Sequence, residues 1–228
     1  YKPICPISVL YNSYGFTLKS NDSLSKNSLS KTYGWDPTLP IFIFQGGISE
    51  ERNLLSLIAA FEKLNNAANL IIVGEGNAKK RLVELKQERK IRNVAILDWV
   101  QQADLPQLIN SADFGVIPYM HNGLLNNLYC TPNKLFEYIA LNKPILASPL
   151  PEVSKIIDSY QIGITHDLST EENFLNALQT FLAKKDELKK RDFANAQNAY
   201  GWKKQEDTLF NLYDKISRKH DKKRHKYA

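Results

Sequence analysis

Tyr129-Cys130-Thr131-Pro132-Asn133-Lys134-Leu135-Phe136-Glu137-Tyr138-Ile139-Ala140, followed closely by the apolar run Pro144-Ile145-Leu146-Ala147, reads as a polar loop that turns into a helix and returns as a buried strand. Thr131 suits an N-cap, where its hydroxyl accepts a bond from an orphan amide of the first turn. Pro132 suits the first helical position, because its missing N–H would have gone unpaired anyway. The remaining free amides and the positive end of the helix dipole then face whatever lies above, which is how a helix receives a phosphate. Asn133 and Glu137 are four residues apart and share a face, with Lys134 beside them. The plainer alternative is a solvated Lys134 and Glu137 pair, contributing only about 0.2–0.5 kcal/mol.

The same plan of apolar run, turn and helix repeats on either side. Ile41-Phe42-Ile43-Phe44 gives way to the turn Gln45-Gly46-Gly47-Ile48-Ser49-Glu50-Glu51-Arg52-Asn53, after which Leu54, Leu55, Leu57, Ile58, Phe61 and Leu64 recur at helical spacing. Leu70-Ile71-Ile72-Val73, the turn Gly74-Glu75-Gly76 and a helix over about 78–90 form the next unit. Val94-Ala95-Ile96-Leu97 is a third strand, followed by a helix around 105–111, and Phe114-Gly115-Val116-Ile117 is a fourth. Pro144 to Ala147 is the fifth and Ile162-Gly163-Ile164-Thr165 the sixth. Short apolar runs alternating with helices predict an α/β fold: a Rossmann-like, doubly wound parallel sheet of about six strands, covered on both faces.

C-terminal helices follow. Thr170-Glu171-Glu172 begins one, a second runs through Leu188 and Phe193, and Trp202, Leu209, Phe210, Leu212 and Tyr213 mark a final amphipathic helix. At the other end, residues 1–40 read as a linker rather than core, with a short strand at Ile7-Ser8-Val9-Leu10 and a turn of helix over 28–33. The chain begins with Tyr1 rather than Met, so this linker is expected to lead in from a missing N-terminal domain. The expected organisation is linker 1–40, Rossmann-like body 41–200, last helix 201–218 and basic tail 219–228.

At 228 residues and 43% hydrophobic content the chain can bury a substantial core. No apolar run approaches the ~20 residues needed to span a bilayer, and no signal-peptide pattern opens the chain. Two cysteines, Cys5 and Cys130, are too few for a disulfide framework and fit a reducing cytosol. Cys130 reads as a small buried thiol rather than a nucleophile, and neither cysteines nor histidines show metal-ligand spacing, so no metal site is expected. The net charge of +6 resides largely between Lys203 and the C-terminus, where nine basic residues face four acidic ones. That distribution argues against nucleic acid as a partner. The tail reads as a solvated charge run, with attraction to an anionic membrane surface, at ~1 kcal/mol per basic residue, as the functional alternative. The expected location is cytoplasmic, peripheral on the cytoplasmic face of the membrane if the tail acts in that way.

In an open parallel sheet, ligands sit outside the carboxyl ends of the strands. The loops over 46–52, 74–76, 98–102, 119–131 and 149–152 are therefore the ones that matter. Gly74-Glu75-Gly76 alone does no more than accommodate a tight bend, and Arg52 alone reads equally well as a surface cation. Together with the helix after Pro132 they describe a site for an anionic, hydroxyl-bearing ligand, and a nucleoside diphosphate fits.

The ordered set of parts resembles the C-terminal, nucleotide-sugar-binding half of a retaining glycosyltransferase of the family 4 type, one half of a GT-B architecture, over roughly residues 7–213. Gly46-Gly47 stands where that family has a strand ending in Gly-Arg, and Arg52-Asn53 where it has a Lys-Gly pair. Val73-Gly74-Glu75-Gly76 matches its Val-Gly-x-Gly turn, and Ser111-Ala112-Asp113 to Pro118 its Ala-Asp strand ending in Pro. Glu137 before Pro144-Ile145-Leu146-Ala147 matches the second glutamate of its Glu-x7-Glu motif. Pro132-Asn133-Lys134-Leu135-Phe136-Glu137 is similar to a variant common among bacterial polysaccharide glycosyltransferases.

The resemblance implies that Glu137 holds the donor ribose hydroxyls and that Arg52 replaces a phosphate-binding lysine; these two are the best candidates for a catalytic role. Gly46 and Gly47 would let the loop pass close to the donor, with Gly74 and Gly76 in the neighbouring turn. The amides of Asn133, Lys134 and Leu135 would meet the diphosphate, and Trp99 and Val100 would border the base. In two places the chain departs from the pattern: Gly47 replaces a phosphate-binding arginine, with Lys134 to compensate, and Tyr129 occupies the place of the first glutamate. The implied activity is metal-independent transfer of a hexosyl group from a UDP- or GDP-type donor, without a further cofactor, since no Asp-x-Asp occurs. A glycan or lipid-linked acceptor would be held by the N-terminal domain, so this chain alone should bind donor and turn it over poorly. The competing reading is a non-catalytic nucleotide-sugar-binding or scaffold module, favoured by Tyr129 and Gly47. A sugar-nucleotide epimerase of the same architecture is a third reading, against which the helix after Pro132 argues.

Overall fold

The computed structural model describes residues 8–13, 15, 25–64, 67–120, 123 and 125–224. Six strands form one parallel sheet: β1 (Ile41–Gln45), β2 (Asn69–Val73), β3 (Val94–Leu97), β4 (Phe114–Ile117), β5 (Ile145–Ala147) and β6 (Gly163–Thr165). Their spatial order is β3-β2-β1-β4-β5-β6. The chain thus winds outward in one direction from β1 and in the other from β4, and the carboxyl ends of these two neighbours splay into a crevice where the order reverses. β1, β2, β4 and β5 are buried at every residue, because helices cover both faces.

The helices that cover it are α1 (Lys26–Tyr33), α2 (Leu54–Lys63), α3 (Lys79–Glu88), α4 (Leu105–Ser111), the short α5 (Leu125–Leu128), α6 (Asn133–Ala140), α7 (Pro151–Tyr160), α8 (Glu171–Ala183), α9 (Lys185–Leu188), α10 (Ala194–Tyr200) and α11 (Trp202–Arg224). The core is heavily aromatic: Phe42 packs against Phe61, Phe114 and Phe181 with ring centroids 5.0–5.5 Å apart. Such contacts add about 0.5–1.5 kcal/mol each beyond area burial. Asp113 pins the far end of the sheet by accepting the Ile41 N–H at 2.9 Å and pairing with Lys26 and Lys189.

Several details differ from the sequence reading. Ser8 to Leu10 form no strand, and Ile7 lies outside the described residues, as does Cys5. The linker is not purely peripheral, since Leu29 and Trp35 join the core and the Trp35 indole donates to the Arg92 carbonyl. The helix expected through Leu188 and Phe193 is two helices, α9 ending at Leu188 and α10 starting after Phe193, with Asp192 accepting the Ala194 N–H between them. The last helix continues to Arg224, past the expected start of the tail. The sequence reading assigned no helix to α7, although Pro151 at its start and Val153, Ile156 and Ile157 on its buried face carry the signal.

Candidate functional site

A cleft of about 370 Å³ lies at the β1/β4 reversal. It is lined by Gly46, Gly47 and Arg52 after β1, by Gly74 after β2, and by Trp99 and Val100 after β3. Asn133, Lys134 and Glu137 of α6 close it from below, so nine of the residues singled out in the sequence meet there. Gly76, Tyr129 and Leu135 do not line it. Gly76 faces the neighbouring loop, where a Cβ would fall 2.1 Å from the Ile48 carbonyl oxygen, and at Gly74 it would fall 1.9 Å from that of Gly46. Both have positive φ, so these glycines let two loops touch backbone to backbone and thereby shape the rim. Tyr129 is 57% exposed, beyond α5, and Leu135 is fully buried in the core.

The entry into α6 is built differently from the reading of a Thr131 cap. Pro132 is itself the N-cap residue, in extended conformation, and the helix starts at Asn133 with no side-chain cap bond. The Leu135 N–H donates back to the Pro132 carbonyl at 2.9 Å, which removes it from the amides available to a ligand. Those of Asn133 and Lys134 are first-turn amides with no intrahelical acceptor. The Asn133 side chain is held by Asn12, whose Nδ2 donates to Oδ1 at 3.1 Å.

Lys134 and Glu137 are not a solvated pair, for both are at least nine-tenths buried and no ion pair joins them. The Lys134 ammonium donates to the Tyr119 hydroxyl at 2.7 Å and lies over the rings of Phe44 and Tyr119. Burial, reinforced by the nearby Arg52 guanidinium and opposed by Glu137, lowers its pKa to about 7. Arg52 stacks on the same tyrosine, its guanidinium carbon 3.6 Å from the ring centroid. It occupies a 3-10 turn, Glu50–Arg52, separated from α2 by Asn53 in left-handed conformation, and not the first turn of the helix itself. Asn53 is anchored by donating to the carbonyls of Leu168 and Ser169, and Met120 N–H donates to the Glu51 carbonyl, so Arg52 and Tyr119 are held together. Burial pushes the Tyr119 phenol up to about 12.

Burial also raises the Glu137 pKa, opposed by a hydrogen bond from Gln45 and by the Lys134 charge. Gln45 Nε2 donates to Glu137 Oε2 at 2.8 Å. At the opposite end of the cleft Trp99 is 62% exposed beside Val100 and Leu105, a flat apolar rim. Its loop is fastened by Glu75, which accepts the Trp99 N–H, while Lys79 bridges Glu75 and Asp98 at 2.6 Å each. Cys130 also lines the cleft, but it is only half-buried and its thiol, pushed up by burial, donates to the Asn127 carbonyl. Gln45 and Tyr119 contribute directly to the geometry and carried no role in the sequence reading.

Two cations without carboxylate partners among the described residues, two helix amides, a buried carboxylate and an apolar platform thus converge on one cleft. Such a set can hold a diphosphate at one end, hydroxyls at the carboxylate and a flat ring at the rim. Residues 25–199 match the family model for glycosyl transferases group 1. A curated Escherichia coli protein, WcaI, named for colanic acid biosynthesis as a glycosyl transferase, is 26% identical over 123 residues, 53% of this chain and 30% of that one. Sucrose-phosphate synthase from Thermosynechococcus elongatus shares the fold with a TM-score of 0.66 at 16% identity, over 83% of this chain and 48% of its own. A variant of Staphylococcus aureus TarM, in complex with fondaparinux, α-GlcNAc-glycerol and UDP, does so with a TM-score of 0.64 at 13% identity, over 90% and 39% respectively. The chain therefore spans less than half the length of each of these relatives.

Proposed function

The chain belongs to the glycosyl transferases group 1 family and forms the C-terminal, donor-binding half of a GT-B fold, and from this premise we propose that its cleft holds the nucleoside diphosphate of a sugar donor for transfer to a glycan or lipid-linked acceptor. One observation carries the proposal: Arg52 and Lys134, the latter in the first turn of α6, line one cleft without any carboxylate partner among the described residues. In this reading the diphosphate lies on the Asn133 and Lys134 amides, Glu137 accepts from the ribose hydroxyls, and Trp99 and Val100 border the base. When the bond from the anomeric carbon to the diphosphate breaks, the electron pair leaves with the phosphate oxygen. The amides and the two cations stabilise that charge where it develops. The acceptor hydroxyl forms the new bond to carbon and loses its proton, with configuration retained and without a metal ion. The acceptor and the groups that handle its proton belong to a preceding domain, so the chain alone binds donor with little turnover.

UDP or GDP at ~100 times its dissociation constant should stabilise the chain by ~2.7 kcal/mol, visible as a rise in Tm. A rise with one nucleotide that Glu137→Ala diminishes is the expected result; no rise with either overturns the reading. The second reading, a binding module without transferase activity, is favoured by Gly47 in place of a cation and by Tyr129 standing outside the cleft. Joining the chain to its N-terminal domain and adding acceptor separates the two, since only the first gives transfer. No helix among the described residues is long and apolar enough to cross a membrane. For location we propose the cytoplasm, with contact to an anionic membrane surface through the C-terminal segment, where Trp202, Phe210, Tyr213 and Ile216 are exposed beside basic residues.

A further inference from the structure

Gln45 is a polar side chain at the end of a fully buried strand, 3% exposed, where an apolar residue would be expected. Its amide is used at both ends. Nε2 donates to Glu137 Oε2 at 2.8 Å, and Oε1 accepts the Tyr138 hydroxyl at 2.5 Å. Reversing the amide would set its oxygen against the Glu137 carboxylate, so the tyrosine and the glutamate together dictate one orientation. Tyr138 is itself immobile. Its ring lies flat on β4 at Gly115, where a Cβ would come within 2.4 Å of the ring carbons, and the Ile43 carbonyl, 2.8 Å from its hydroxyl, shares with Gln45 Oε1 the one hydrogen that the hydroxyl donates. Among the described residues no other hydrogen bond reaches the Glu137 carboxylate, which leaves Oε1 to the cleft that Glu137 lines.

We propose that Gln45, locked by the Tyr138 hydroxyl, is a positioning residue that fixes the Glu137 carboxylate with one oxygen presented to the hydroxyls of a bound nucleotide; this rests on the nucleotide-sugar reading of the cleft. Two adjacent residues of α6 thus act through one residue of β1: Tyr138 sets the glutamine, and the glutamine sets the glutamate. Without that charge-assisted bond a carboxylate in so buried a site would swing between rotamers or take up a proton. The other titratable or charged groups around it are Lys134 on its own helix, Tyr119 and Cys130 from the β4–α6 connection, and Arg52 after β1.

The test combines a titration that needs no ligand with a binding measurement. Glu residues labelled with 13C at the carboxyl carbon are titrated by NMR in the wild type, Gln45→Met and Tyr138→Phe, the Glu137 signal being assigned by its loss in Glu137→Gln. Glu137 should titrate about one pH unit higher in Gln45→Met and less so in Tyr138→Phe. UDP and GDP affinities are then measured for the same proteins and for each variant combined with Glu137→Ala. Gln45→Met should weaken the bound nucleotide about tenfold, and that loss should vanish when Glu137 is already absent, a coupling that a merely structural role would not produce. An unchanged Glu137 titration in both variants, or equal nucleotide affinity despite a changed titration, overturns the proposal. If no nucleotide binds the wild type the donor reading falls, while the titration still decides whether the relay exists. Tyr138→Phe, which removes one buried hydroxyl, carries both arms of the test should Gln45→Met not fold.

Discussion

The two ends of the sheet each hold a lysine, one half-buried and one buried, and the surroundings of the two differ in kind. At the amino end, Lys143 donates to the Asn110 and Ala112 carbonyls at 2.9 and 2.8 Å, closing the C-terminus of α4. Asp113 beside it holds Lys26 and Lys189 and accepts the Ile41 amide. Every charge there has an opposite charge or a carbonyl. At the carboxyl end, Lys134 is more deeply buried yet has one phenolic oxygen and two ring faces, with the Arg52 guanidinium stacked across the same Tyr119. A saturated cluster stabilises the fold; an unsaturated one is costly until an anion arrives. That contrast separates charge that the fold itself satisfies from charge left for the proposed donor to satisfy.

The largest expected effect comes from exchanging the two kinds of charge. Asp113→Ala leaves two lysines and a strand amide without their acceptor and should destabilise the fold by about 3 kcal/mol, with nucleotide affinity intact. Lys134→Met removes a costly buried ammonium, so Tm should hold or rise, while UDP or GDP affinity falls by about a hundredfold, two lost charge-assisted bonds' worth. Thermal melts with and without nucleotide read both numbers. Parallel losses of stability in the two variants would break the distinction between the two ends.

A pH series sharpens it. Lys134 has a folded pKa of about 7, well below the ordinary lysine value of 10.5. Between those values the unfolded chain binds the additional proton, so the stability withheld by Lys134 returns as pH rises from about 7 towards 10.5. Lys143, lowered chiefly by burial to about 8, acts in the same direction over the upper part of that window. The stability gap between Lys134→Met and the wild type should therefore narrow as pH rises, whereas a Lys143 variant leaves the lower part of the window unchanged. Asp113 has the opposite dependence. Burial raises its pKa, but hydrogen bonds from Lys189, Lys26 and the Ile41 amide outweigh that and lower it, so its contribution is present above the ordinary aspartate range and is lost as pH falls through the folded value. Nucleotide binding should take up a proton near neutral pH, measurable as a buffer-dependent heat, and Lys134→Met should abolish that uptake.

These contrasts also mark how far the sequence could be read. β3 and β4 fall where the apolar runs place them, residue for residue, because a parallel strand covered on both faces leaves an uninterrupted hydrophobic signature. Arg52, Lys134 and Glu137 were legible through motif spacing. Gln45 and Tyr119 were not, since Gln45 meets Glu137 across 92 residues and Tyr119 meets Lys134 across 15. No local periodicity encodes such a meeting; only the β1/β4 neighbourhood does. The break between α9 and α10 left its trace in the spacing: Leu188 and Phe193 are both buried although residues five apart fall about 140° apart on one helix, and the turn between them rests on Asp192.

The smallest effect is the most discriminating. Tyr119→Phe keeps the ring under Arg52 and deletes only the oxygen that accepts from Lys134. In the free protein this leaves a buried ammonium with no acceptor among the described residues, and Tm should fall by an amount equivalent to about 1 kcal/mol. If a diphosphate takes the ammonium's hydrogen bonds in the complex, the lost phenolic oxygen matters there much less. Linkage then requires nucleotide affinity to stay level or rise severalfold while the free protein weakens. Affinity that falls together with stability would instead place the Tyr119 hydroxyl in direct contact with ligand, and Lys134 would join Lys143 as a lysine held by the fold and for the fold.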